Sequence, residues 1–246
     1  MATPSDESRP RRSSVEVRLG RYFGMLGVGA EAAAALAAGS FLHRTSPGRV
    51  RLTGRHAYVD ILVSGVVLDA ERLWAGDYWV GDLDVFRETS QPHQRAWVDF
   101  LGPAWTIRIS REVLRSWAVR DLTVQRMLYQ VLMDRQGVMN IVYGLDHRST
   151  LARVAQLLDY LAHTPPLLAE VGLAPRASLE VQGPTQKHLA DALGLSLATV
   201  EKSMNLLRKH GVLASAGGGR AHRAYRVEQP QILDAVAQGH SLAAAA

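Results

Sequence analysis

The run TQKHLADALGLSLATVEKSMNLLRKHGVL at positions 185–213 leaves little choice of local fold. Leu189 opens an apolar face, the small residue Ala190 follows it, and Gly194 separates this stretch from a second one anchored by Leu195 and Val200. That spacing predicts a helix-turn-helix. Ala190 lets the two helices cross closely, Gly194 supplies the tight turn, and Ser196 caps the second helix so that its N-terminal face can enter a major groove. Next comes ASAGGGRAHRAYRV, with three glycines at a tip flanked by Arg220, His222, Arg223 and Arg226, as expected of a two-stranded wing that reaches phosphates. Residues 183–226 hold seven basic residues (Lys187, Lys202, Arg208, Lys209, Arg220, Arg223 and Arg226) against Asp191 and Glu201, a local excess of +5. Such an excess attracts a phosphate backbone, although a solvated face or a winged helix used for protein contact has the same composition. The expected DNA-contacting residues are Thr185, Gln186, Ser196, Leu197, Ala198, Thr199 and Lys202, together with Arg220, His222 and Arg223 of the wing.

The rest of the chain divides into segments of different periodicity. Residues 1–16 mix charge with Pro and Ser and predict a flexible tail. Residues 17–42 are Ala-rich and predict a helix stopped by Gly39. From 49 to 109, short runs such as AYVDILVSG, VVLDAERLWAG, RAWVDF and AWTIRIS alternate with Gly, Pro and Asp, the pattern of short antiparallel strands in a barrel or sandwich. Residues 111–145 contain no proline and predict one long helix. On it Val124, Leu128, Val131, Val138, Val142 and Leu145 recur in steps of four and three, with Arg135 in the missing position. The stripe either packs on the chain's own barrel or, as its length favours, forms the interface of a homodimer. A further amphipathic helix is expected over 150–162, stopped by Pro165-Pro166 and followed by a linker-like stretch.

Composition excludes several classes. With no cysteine among 246 residues there are no disulfides, thiolate metal sites or thiol chemistry. His43, His56, His93, His147 and His163 are scattered, and no HExxH, GxSxG or Walker-type pattern occurs, so no enzyme activity and no metal are expected. The apolar stretch 25–42 is interrupted by Glu31 and glycines and is too short to cross a bilayer. A cytoplasmic protein that engages no membrane is the expectation.

In order and in motif, residues 17–240 resemble the CRP/FNR family, that of the catabolite activator protein and the fumarate–nitrate regulator. GDLDVF (81–86) resembles the family's phosphate loop, RAWVDFLGPAWTIRIS the strand pair after it, and LARVAQLLDYLA the helix leading to the DNA-binding domain. The resemblance implies an α+β chain: a cyclic-nucleotide-binding-type β-barrel (jelly roll) over 17–110, a long dimerisation helix over 111–146, and a winged helix-turn-helix domain over 147–246. It also implies a bacterial homodimer that binds near-palindromic double-stranded DNA beside promoters and there meets RNA polymerase. A regulator acting mainly through protein partners is the alternative.

Six positions depart from the family pattern. Asp82 stands where the loop carries Glu, and alignment on Ala96-Trp97-Val98 puts Gln94 at the phosphate-clamping Arg position, with Arg95 one residue later on the opposite strand face. Val138 and Met139 replace hydroxyl residues that contact the base in the cyclic-AMP-responsive member. Gly81, Asp82 and Arg95 therefore stand as the ligand-binding candidates, a cyclic nucleotide is not the expected effector, and another small effector stays open. In the recognition helix, Leu197 and Ala198 can touch thymine methyls but cannot make bidentate contacts with guanine, so the target should differ from the family's TGTGA-type half-site.

Overall fold

The structure is a computed structural model that describes residues 14–51, 58–81, 97–144, 147–163, 165–174, 179–216 and 224–245. It opens with two helices, α1 (Ser14–Met25) and α2 (Ala30–Ala38), which bury Leu19, Tyr22 and Phe23 against Ala32, Ala33 and Leu36. The single helix expected over 17–42 is thus broken. Gly27, at φ 84°, turns the chain between the two helices. Residues 40–45 are not helical at all: they form β1 (Ser40–Thr45), held by pairing to a distant strand that local propensity cannot foresee.

The β part is a sandwich of two antiparallel four-stranded sheets. One runs β1-β8-β3-β6 and adds β3 (Tyr58–Ser64), β6 (Trp79–Val80) and β8 (Ala104–Ser110). The other runs β2-β7-β4-β5, with β2 (Gly48–Arg51), β4 (Val67–Asp69), β5 (Arg72–Trp74) and β7 (Trp97–Phe100). Alternation divides the residues. Leu62, Val67, Trp74, Val80, Val98 and Phe100 fill the space between the sheets, while Val59, Ile61, Ile107 and Ile109 face outward onto the helices. The β4–β5 hairpin turns through Ala70 (φ 53°) and Glu71 (φ 65°), the left-handed pair of a two-residue turn.

The helix expected over 111–145 is two helices and a wider turn: α3 (Arg111–Arg120), α4 (Leu122–Val138) and a single π-helical turn, Met139–Tyr143. Asp121 makes the break. It adopts an extended conformation, and its carboxylate accepts hydrogen bonds from the backbone N–H of Thr123 (2.7 Å) and Val124 (3.4 Å), capping α4. Burial divides the heptad seam expected at a dimer interface. Val124 and Leu128 lie in the core shared with α1 and α2, Val142 in the core of the C-terminal domain, and Val131, Arg135 and Val138 are half-buried on the chain's own surface. Leu145 lies outside the described residues. Part of the stripe thus packs within its own chain, and the large apolar residues left exposed on this region are Val119, Leu122, Tyr129, Met133 and Ile141.

The C-terminal part contains α5 (Thr150–Ala162), α6 (Pro166–Glu170), β9 (Glu180–Gln182), α7 (Gln186–Leu193), α8 (Leu197–Lys209), β10 (Leu213–Ser215), β11 (Ala224–Val227), α9 (Pro230–Ala237) and α10 (Leu242–Ala245). Pro166 occupies the first position of α6, so part of the stretch read as linker is helical. The three strands form one antiparallel sheet in the order β10-β11-β9. Their core runs on without a gap into Val66, Leu73 and Ala75 of the sandwich. No described helix is long and apolar enough to cross a membrane.

Candidate nucleic-acid interface

Local chemistry builds the helix-turn-helix as its sequence suggests. Thr185 caps α7: its hydroxyl accepts from the backbone N–H of His188 at 3.2 Å, and its own N–H donates to Nδ1 of His188 at 3.2 Å. Gly194 ends α7 at φ 63°, a left-handed conformation that suits glycine. Ser196 then caps α8, accepting from the N–H of Thr199 at 3.2 Å, with the two hydroxyls 2.8 Å apart. Leu189, Ala190 and Leu193 of α7 meet Val200, Met204 and Leu207 of α8 in the core, where a residue larger than Ala190 would force the helices apart.

This packing fixes what α8 offers to solvent. Ser196, Leu197, Ala198, Glu201, Lys202, Asn205 and Lys209 are exposed, so the expected contact residues of the helix share its free side, with Thr199 half-buried beside them. Thr185 and Gln186 are half-buried at the start of α7. Sequence reading passed over Glu201 and Asn205, although their spacing from Lys202 and Ala198 marks the same helix face. Asn205 accepts from the Arg208 guanidinium at 3.1 Å, while Arg226 of β11 is paired with Glu228 at 2.7 Å. Arg220, His222 and Arg223 lie outside the described residues, between β10 and β11, whose antiparallel pairing frames the wing.

The ligand candidates are only partly described. Gly81 follows β6 at φ 83°, whereas Asp82, Gln94 and Arg95 lie outside the described residues. Within the sandwich, Arg108 donates to both carboxylate oxygens of Asp60 (2.8 and 3.1 Å), Thr106 donates to the same carboxylate at 3.1 Å, and the guanidinium lies 5.4 Å from the Tyr58 ring. Sequence reading missed this cluster. The signal was Asp60 itself, an acid inside the apolar run YVDILV, where only a paired charge is tolerated. Val138 and Met139 are half-buried and pack against both the sandwich interior and the C-terminal core. Among the described residues, no group of three or more His, Asp or Glu side chains could hold a metal ion.

No protein-family model matches the sequence, and no curated protein does. Solved structures do match. A protein from Silicibacter pomeroyi described as a cAMP-binding regulatory protein aligns over 92% of this chain and 99% of its own, with 14% identity and a TM-score of 0.61. A CRP-family transcriptional regulator from Thermus thermophilus aligns over 81% of this chain and 98% of its own, with 18% identity and a TM-score of 0.52. This chain has the CRP/FNR-type fold. A regulator of the CRP/FNR family from Eubacterium rectale gives the same result, covering 88% of this chain and 99% of that one at 12% identity and a TM-score of 0.52. In the CRP/FNR-type fold found here, both the sandwich and the winged helix-turn-helix are thus present in one chain, in the order the sequence predicted.

Proposed function

We propose that this chain is a sequence-specific DNA-binding transcription regulator that acts as a homodimer and does not require cyclic AMP. The observation that carries the reading is the free face of α8: a capped helix packed on α7 through Val200, Met204 and Leu207 that turns Leu197, Ala198, Glu201 and Lys202 outward. Beside it, the paired strands β10 and β11 flank the basic segment that the sequence reads as a wing. Lys202 supplies phosphate contact, Leu197 and Ala198 supply apolar contact to thymine methyls, and Glu201 can accept from cytosine N4. The half-site is therefore expected to differ from the TGTGA type. As a twofold dimer the protein would place two such helices about 34 Å apart on a pseudo-palindrome.

The dimer face is assigned to the exposed apolar residues Leu122, Tyr129, Met133 and Ile141, because the inward stripe of α4 is already covered by the chain itself. Independence from cyclic AMP is supported by Val138 and Met139, apolar side chains that offer a base no hydroxyl.

Titration against genomic DNA fragments at several salt concentrations tests the reading. The logarithm of affinity should fall linearly with the logarithm of salt, and Lys202→Ala should reduce the slope by about one while weakening all sequences alike. A slope near zero, unchanged by the substitution, would move the function to protein contact.

A further inference from the structure

Under the β5–β6 turn lies a second feature, remote from α8: a cavity of about 140 Å³ walled by parts of α1, α4, α5 and α6. It is close to the volume that accommodates a benzene ring. Its lining combines aromatic side chains, Tyr22, Trp79 and Tyr160 among them, with two carboxylates, Asp77 from the turn and Asp134 from α4. Asp77 is half-buried at φ 62°, and the Tyr22 hydroxyl donates to it at 3.3 Å. Among the described residues no cation pairs with Asp77. Burial, and next the charge of Asp134, raise its carboxyl to about 6 against the pull of the Tyr22 hydrogen bond.

Among the described residues the one guanidinium lining the cavity is that of Arg135, which sits over two further rings of the same wall. It lies 5.3 and 5.1 Å from the rings of Trp74 and Tyr78 and 3.8 Å from Asp69, whose carboxylate also accepts from the Tyr78 hydroxyl at 2.5 Å. Counting Asp69, Asp77, Asp134 and Arg135, the surroundings carry an excess of negative charge. The facing groups are Tyr22 from α1, Asp134 and Arg135 from α4, and Tyr160 from α5, whose hydroxyl is pushed up to about 12 mainly by burial. Tyr22, raised by burial and by Asp77, and Tyr160 are both neutral at pH 7.

A half-buried carboxylate that no described cation pairs with is costly, and an aromatic-walled cavity beside it suits a cation that is itself partly apolar. We propose that this cavity binds a small organic ammonium ion, seated between Asp77 and Asp134 and against the rings of Tyr22, Trp79 and Tyr160. The ammonium would donate charge-assisted hydrogen bonds to the carboxylates while its carbon skeleton covers the rings. Aromatic walls favour this class over a bare metal ion, which requires several oxygen ligands. The site has a route to the DNA-binding part: the same turn is tied to α5, with Ala75 N–H donating to the Tyr160 hydroxyl at 3.2 Å.

Calorimetric titration of the full chain without DNA, using benzylammonium and propylammonium chloride, tests the site whether or not α8 binds duplex. Saturable binding is expected at pH 7.5, weaker by tenfold or more for the neutral isostere benzyl alcohol and for Asp77→Asn, and weakening as pH falls through 6. Asp134→Asn should weaken binding in the same direction. No saturable heat with either amine, equal affinity for the alcohol, or unchanged affinity in both variants with native circular dichroism would overturn the proposal.

Discussion

Asp77 shows how one residue couples pH to stability. Its carboxyl is raised from 3.8 to about 6 in the folded chain, first by burial and then by Asp134. The folded state therefore holds the proton more tightly than the unfolded state, and stability falls as pH rises from about 4 to 6. Above that window the cost is complete, at most about 3 kcal/mol at about 1.4 kcal/mol per pKa unit. Asp77→Asn keeps an acceptor for the Tyr22 hydroxyl and removes the charge. Urea denaturation should find it more stable than the parent by about 1–3 kcal/mol at pH 8 and equal to it below pH 4. A loss of stability at pH 8 would mean that the carboxylate is compensated in the folded protein. No local pattern marks this residue, because its partner Tyr22 lies 55 positions away. Thr185, Gly194 and Ser196 were legible for the opposite reason: each acts on backbone within three or four residues of itself.

At the scale of elements, α4 shows why periodicity alone does not name what covers a helix. Steps of three and four residues report that a helix has an apolar stripe, and they say nothing of what covers it. Val124 and Leu128 share a core with α1 and α2, which the sequence reading had merged into one helix. The break at Asp121 was equally hidden, since an aspartate inside an apolar-periodic run reads as a surface residue until its N-capping bonds are seen. The strands fared better because their alternation and turn residues are local signals, and AYVDILVSG and AWTIRIS became β3 and β8. The two faces of α4 now predict opposite phenotypes. Tyr129→Glu or Met133→Glu, at exposed positions, should yield a folded monomer in sedimentation. Val124→Ala, in the core, should lower stability by about 1–3 kcal/mol and leave the dimer intact. A dimer that survives both glutamate substitutions would place the interface elsewhere.

For the molecule as a whole, the joint between sandwich and winged helix is built from close backbone approaches and buried hydroxyls. Leu73 N–H donates to the Tyr143 hydroxyl at 3.0 Å, which donates in turn to the Leu73 carbonyl at 2.6 Å, and the Arg72 guanidinium donates to the Ala192 carbonyl at the end of α7. A Cβ on Gly183 would fall 2.7 Å from the Leu101 carbonyl carbon, and one on Gly76 would fall 2.3 Å from Cγ of Pro165. Such contacts are invisible in sequence, because each joins residues far apart along the chain. Gly76→Ala is expected to force the β5–β6 turn away from Pro165. The amides of Leu73 and Ala75 should then exchange hydrogen at least tenfold faster, while those of β3 and β8 keep their protection. Because the joint orients α7, and through it α8, the variant should also lose more affinity for a full pseudo-palindrome than for a single half-site, since only the former needs two recognition helices held about 34 Å apart. Unchanged exchange at Leu73 and Ala75 would show that the domains are held together by the shared apolar core of Val66, Leu73 and Ala75 alone.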